Sequence, residues 1–124
     1  MTQGHALISL VARVLMSAIF IGAGYSKIGS YAGTAAYMAS HGVPGILLPL
    51  VILAELGGGL AILLGFLSRW AALALAGFSI LSALLFHQFW VDPSQYNNFM
   101  KNLAMAGGLL LLFANGPGKY AIRD

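Results

Sequence analysis

The sequence predicts an all-α integral membrane protein: a four-transmembrane-helix antiparallel bundle, with a short interfacial helix between the first and second spans. Three observations predict it. First, 60% of the 124 residues are hydrophobic and only 7% are charged, where an ordinary soluble domain carries about 25% charged residues. The mean hydropathy is +0.88, and a soluble chain this small has too little interior to hide so much apolar surface. Second, the apolar residues gather into four runs, each near the ~20 residues a spanning helix needs. Third, the runs are separated by Gly, Pro and Asn with isolated Lys and Arg, which reads as turns at membrane surfaces.

The first run, 6–26, has no basic segment before it and no small-residue cleavage site after it. It is therefore expected to be a retained helix, not a cleaved signal peptide. Arg13, Ser17, Phe20, Gly24 and Lys27 follow 4-3-4-3 spacing and share one face. Arg13 lies inside the span and should face the bundle. Lys27, at the outer end, is expected to snorkel to lipid headgroups.

The connection 27–45 is the only long one. Residues 34–40 are expected to form one or two helical turns at the interface, with Tyr31 and Tyr37 at headgroup level. The second run, 46–67, has Pro49 in its first turn, where a missing N–H costs little. Ala54, Gly58, Ala61 and Gly65 make a stripe of small residues that suits close helix packing. Beside it lie Gly59 and Glu55, the one acidic residue that cannot sit at a membrane surface. Ser68 and Arg69 alone separate this run from the third, so the two form a tight hairpin.

The third run, 70–90, carries a stripe of Ala72, Ala76, Ser79 and Ala83, and leads to His87 near its outer end. In the fourth, 99–115, Lys101, Ala104 and Gly108 share a face with Asn102 adjacent. Asn115-Gly116-Pro117-Gly118 ends it. Residues 1–124 are read as a single membrane domain. Arg69, Lys119 and Arg123 fall on one side, which favours a multi-pass topology with both termini in the cytoplasm.

An ionised carboxylate is costly in hydrocarbon, so Glu55 should face a protein interior or wet cavity and have a partner. At ~1.5 Å rise per residue it lies ~14 Å below the outer end of its run. Arg13 and Lys101 are the basic side chains expected to reach it. Arg13, Glu55, His87, Lys101 and Asn102 are thus the candidates for one polar cluster. His5 and His41 are lone residues with no assigned role. The chain has no cysteine, which excludes thiol–disulfide exchange and thiolate metal sites. It has no metal or dinucleotide motif. The net charge of +3 is spread singly, without the basic cluster that nucleic-acid binding needs.

These residues together resemble the DoxX family of small four-helix bacterial inner-membrane proteins. The resemblance rests on Ala12-Arg13 with Phe20-Ile21-Gly22-Ala23-Gly24 and Lys27. It continues through Gly42-Val43-Pro44, then Glu55-Leu56-Gly57-Gly58-Gly59-Leu60-Ala61 with Gly65 and Arg69. Phe86-His87 and Phe99-Met100-Lys101-Asn102-Leu103-Ala104 followed by Gly107-Gly108 complete it. It implies a membrane oxidoreductase or oxidoreductase subunit. Some members are tied to quinone-linked sulfur oxidation, some to responses to catechols and quinones, and some to oxidative-stress complexes. The family's recurring polar positions correspond to Arg13, Lys27, Glu55, His87, Lys101 and Asn102.

The expectation is a quinone- or aromatic-linked redox component of the inner membrane, with a quinone as cofactor. Quinone reduction takes up two protons, and Glu55 with His87 would form the proton relay. Phe20, Phe86, Phe89, Trp90 and Tyr96 could supply apolar walls. The chain carries no electron carrier motif of its own, so a redox partner protein or the substrate would supply electrons. Two further readings stand beside this one. One is a non-catalytic subunit or scaffold in which the polar cluster locks the helices, with homo-oligomerisation reasonable for so small a bundle. The other, ranked last, is a small proton-coupled transporter, since four unbroken spans leave little room for alternating access.

Overall fold

A computed structural model describes residues 2–122. The elements are α1 (Gln3–Gly29), α2 (Tyr31–Ser40), α3 (Leu48–Leu64), α4 (Ser68–Phe86) and α5 (Tyr96–Asn115). Single 3-10 turns at Gly45–Leu47 and Pro93–Gln95 lead into α3 and α5. No strand forms among the described residues. α1, α4 and α3 with its preceding 3-10 turn are long and apolar enough to cross a membrane. The fourth long helix, α5, begins with Asn97, Asn98, Lys101 and Asn102, so its first turns are more polar than the rest.

Local sequence explains the boundaries. Thr2 caps α1 by accepting a hydrogen bond from the His5 N–H at 3.0 Å. Pro sits in the first turn of α3 as expected. The helical segment after α1 covers ten residues, longer than the one or two turns its sequence suggested. The hairpin between α3 and α4 differs from expectation. The connection is 65–67, and Ser68 and Arg69 open α4 instead of forming the turn. Gly65, at φ 69°, ends α3 in the left-handed region where glycine is favoured. At the far end α4 stops at Phe86, with His87 as its cap. Gly116 caps α5.

α1 packs along α3, and α4 along α5, while α3 and α4 meet over a shorter stretch. The α1–α3 contact is close because glycines line it. A Cβ on Gly24 would lie 2.7 Å from Leu56 Cγ, and one on Gly59 would lie 2.8 Å from Ile21 Cγ1. These contacts ascend one helix as they descend the other, so α1 and α3 run antiparallel. The α1 face is the expected one: Arg13, Ser17, Phe20 and Gly24 are buried. So is the α4 stripe of Ala72, Ala76, Ser79 and Ala83.

On α3 two faces are used. Glu55, Gly59 and Ile62 are buried, with Gly59 against α1, while Gly58 meets Leu75 of α4. On α5 the expected face is rotated. Ala106 and Leu109 are buried, and Lys101 and Ala104 point outward. Asn102 explains the rotation: its Nδ2 donates to the Ser79 carbonyl on α4 at 3.1 Å, which fixes a face about 100° from Lys101. Large apolar side chains cover the outside, among them Ile8, Leu15, Ile46 and Leu111. In a chain of this composition such a surface is the lipid contact.

Candidate functional site

Glu55 has one basic partner among the described residues, and it is Lys27. The Lys27 Nζ lies 2.8 Å from Glu55 Oε1. The pairing follows from helix register. Gly24 lets α1 approach the α3 backbone beside Leu56, which brings Lys27, one turn further along α1, level with Glu55. The Glu55 side chain is 6% exposed and that of Lys27 26%. This corrects two expectations. Lys27 does not snorkel outward, and neither Arg13 nor Lys101 is the partner of Glu55. The carboxylate, rather than the lysine, is the group that needs the pairing, because a charge left alone among apolar side chains is costly.

Arg13 is buried at the opposite end of α1 and does different work. Its Nη1 donates to the Ile62 carbonyl at 3.1 Å and the Leu63 carbonyl at 3.4 Å. Its Nη2 donates to the Tyr120 carbonyl. The guanidinium therefore closes the C-terminus of α3, where unsatisfied carbonyls and the helix dipole favour a cation. It also ties the tail after α5 to the α1–α3 pair. The expected single polar cluster is thus split. Lys27 and Glu55 sit at one end, Arg13 sits at the other, Asn102 bonds α4, and Lys101 is exposed.

The ion pair borders a cavity of about 510 Å³ lined by α2, α3, α4 and the end of α1. Its walls are mostly apolar, with Met38, Val51, Ala54, Phe78 and Phe86 prominent. Polar atoms come from Lys27, Glu55, Thr34, Tyr37, Ser82 and His87. His87 is held by its neighbours: its Nδ1 donates to Gln95 Oε1 at 2.9 Å, an oxygen that also accepts from Asn98 Nδ2 at 3.1 Å. Glu55, Lys27 and His87 therefore share one cavity, whereas Arg13, Lys101 and Asn102 lie outside it.

The sequence reading missed the roof. Thr34, Tyr37 and Met38 line the cavity from α2, and Met38 is buried. Their i, i+3, i+4 spacing was the available signal, since it places them on one helix face. Tyr37 stacks on Phe86 with ring centroids 5.6 Å apart, and His41 lies against both rings. These three side chains also border a second cavity of about 280 Å³, which Asp92 and Gln95 make more polar. Of the aromatic residues expected as walls, Phe86 lines the main cavity, while Phe20 belongs to the core. Phe89, Trp90 and Tyr96 join Phe99 in an edge-on cluster at the α4–α5 connection.

The profile of the DoxX family matches residues 8–88, which include both members of the ion pair and His87. The chain is 58% identical over 113 residues to Inner membrane protein YqjF of Escherichia coli (strain K12), covering 91% of this chain and 87% of that protein. It is 35% identical over 121 residues to Inner membrane protein YphA of the same organism, covering 91% of this chain and 86% of that one. No solved structure matches it significantly. With three helices able to span a bilayer and a family profile over most of its length, the chain is a membrane protein of the DoxX family.

Proposed function

We propose that this protein is a quinone- or aromatic-linked redox component of the bacterial inner membrane, and that the cavity beside Lys27 and Glu55 receives the ring. The observation that carries this reading is the cavity itself: about 510 Å³, apolar along its walls, with a salt bridge and His87 among its few polar groups. A small number of placed polar groups in an apolar cleft is the usual character of a small-molecule site. A bundle whose ion pair served only to lock helices would have no need of that space.

The chemistry assigned to the chain's own residues is proton handling. Reduction of a quinone to a quinol takes two electrons and two protons. The Lys27 ammonium donates a hydrogen bond to a ring oxygen and orients it. Glu55, after taking up a proton from water, passes it to that oxygen, and His87, protonated in the same way, passes the second proton to the ring's other oxygen. The electrons come from a redox partner protein. The name of both relatives supports the inner membrane. The accompanying fold is a single-domain, four-span antiparallel bundle with both termini cytoplasmic. The hydrogen bond from Gln3 Nε2 to the Tyr120 hydroxyl supports termini on one side. Arg69 and Lys119 support the cytoplasmic one, and Arg123, counted with them from sequence, lies outside the described residues.

The second reading is a scaffold, favoured by the way Lys27–Glu55 and Arg13 each join α1 to α3. Glu55→Gln separates the two in purified protein supplied with quinone and candidate redox partners. The redox reading expects the folded fraction to keep quinone binding, with quinol formation per bound quinone reduced at least tenfold. Loss of yield or complex assembly, with no effect on any chemical step, supports the scaffold. A protein that neither binds nor turns over quinones with any partner overturns the redox reading.

A further inference from the structure

The walls of the main cavity are uneven in what covers them. α2 roofs it with Thr34, Tyr37 and the buried Met38. The α1 side is closed by the Lys27–Glu55 pair. The side between α3 and α4 is bounded by Leu50 and Leu81, which line the cavity and are nevertheless 62% and 56% exposed. α3 and α4 also meet less extensively than α1 with α3 or α4 with α5. Leu50 lies ~3 Å along α3 from its start, and Leu81 lies ~8 Å from the end of α4. Both are apolar side chains within helices long and apolar enough to span a membrane, so acyl chains are the partners that suit their exposed surface.

The polar end constrains the ligand's head. Lys27 and Glu55, 2.8 Å apart, neutralise one another. A phosphate head group would take Lys27 away and leave a carboxylate unpaired among apolar side chains, which is costly. A neutral ring with oxygen acceptors can bond to the ammonium and leave the pair intact. Resting on the redox reading above, the geometry points to a ligand that is a neutral, oxygen-bearing ring with a hydrocarbon tail, which enters sideways from the bilayer between Leu50 and Leu81 and leaves its tail in the lipid. Lipid contact at the gap is what distinguishes this from a ligand wholly enclosed or drawn from water. An enclosed site of this volume would reject a long tail, and a site open to lipid is indifferent to it.

The test uses the full chain in phospholipid nanodiscs and two probes: a dimethoxy-methylbenzoquinone without a tail, and the same ring with a long isoprenoid tail. Affinities are expressed as mole fraction in the lipid. The wild type is expected to bind both within about threefold. Leu50→Trp and Leu81→Trp, at lipid-facing positions, are expected to weaken the long-tailed probe at least tenfold more than the tail-less one. In a separate measurement Leu81→Cys supplies the only thiol of a cysteine-free chain. A lipid-soluble maleimide is expected to alkylate it, and the long-tailed quinone to protect it. Rejection of the long-tailed probe by the wild type, equal effects of tryptophan on both probes, or absence of protection overturns lateral access while the quinone reading stands. If neither ring binds the wild type, the quinone reading fails and lateral access falls with it.

Discussion

Lys27 and Glu55 illustrate how a charge is tolerated inside an apolar bundle: it is given an opposite charge at contact distance, 2.8 Å away. Removing one partner should therefore cost far more than removing both. Lys27→Met leaves a buried carboxylate alone, a change worth about 3–5 kcal/mol where such pairs have been broken. The double replacement Lys27→Met with Glu55→Gln removes the orphaned charge and should recover most of that loss. Thermal melting of the wild type and the two variants in detergent checks the order. Arg13 predicts differently, because its partners are carbonyls on two segments. Arg13→Leu should lower stability by at least about 2 kcal/mol, given about 1.5–3 kcal/mol for a hydrogen bond to a charged group. Arg13→Lys should restore only part, since a single ammonium lacks the planar fork that reaches Ile62, Leu63 and Tyr120 together.

For the helices, the glycines divide into two kinds that sequence spacing alone does not separate. Gly24 and Gly59 sit where α1 and α3 touch, and a Cβ at Gly59 would lie 3.2 Å from the Ile21 backbone nitrogen as well as against its side chain. Gly59→Val should force the helices apart, at about 1–3 kcal/mol for overpacking, and open the Lys27–Glu55 contact. Gly77 and Gly22 have nothing within 4 Å of such a Cβ. Gly77→Ala should be neutral or stabilise by up to about 1 kcal/mol, since alanine loses less backbone freedom in a helix. Opposite signs of the melting shift at Gly59 and Gly77 are the expected result.

The same contrast explains what was legible in the sequence. The face of α1 was legible because Arg13, Ser17, Phe20, Gly24 and Lys27 differ in polarity and size from the residues around them. The α4 stripe was legible because its small residues recur at helical spacing. The face of α5 was not, because Lys101 and Asn102 are both polar and adjacent. Only the bond from Asn102 to Ser79 decides which turns inward. The partner of Glu55 was not legible either, since it depends on how far α1 slides along α3. That slide is set by the close approach at Gly24 and Gly59, which spacing within one helix does not reveal. The roof formed by α2 required knowing where a ten-residue interfacial helix docks.

Over the whole molecule, the two ends of the α1–α3 pair are built for different purposes. At one end Arg13 gathers the end of α3 and the tail beyond α5, where the Ile122 N–H also donates to the Leu64 carbonyl at 3.1 Å. Toward the other, the Lys27–Glu55 pair borders a cavity that α3 shares with α2 and α4. A closed end and an open end suit a site that exchanges ligand with one leaflet. The four-span arrangement proposed above predicts that reporters fused to the N-terminus and to the C-terminus lie on the same, cytoplasmic side. A cytoplasmic N-terminus with an external C-terminus would mean that α5 does not cross the membrane.

Where a quinone sits in the folded protein tests the central claim most directly. Photo-crosslinking of the full chain in native lipid with an azido-quinone, followed by peptide mapping, gives that position. Saturable labelling confined to the cavity-lining side chains of residues 27–55 and 78–87, competed by unlabelled quinone and suppressed by Ala54→Trp filling the cavity, is the predicted result. Labelling that does not saturate and spreads over the lipid-facing side chains of Ile8, Leu15 and Leu111 would contradict it.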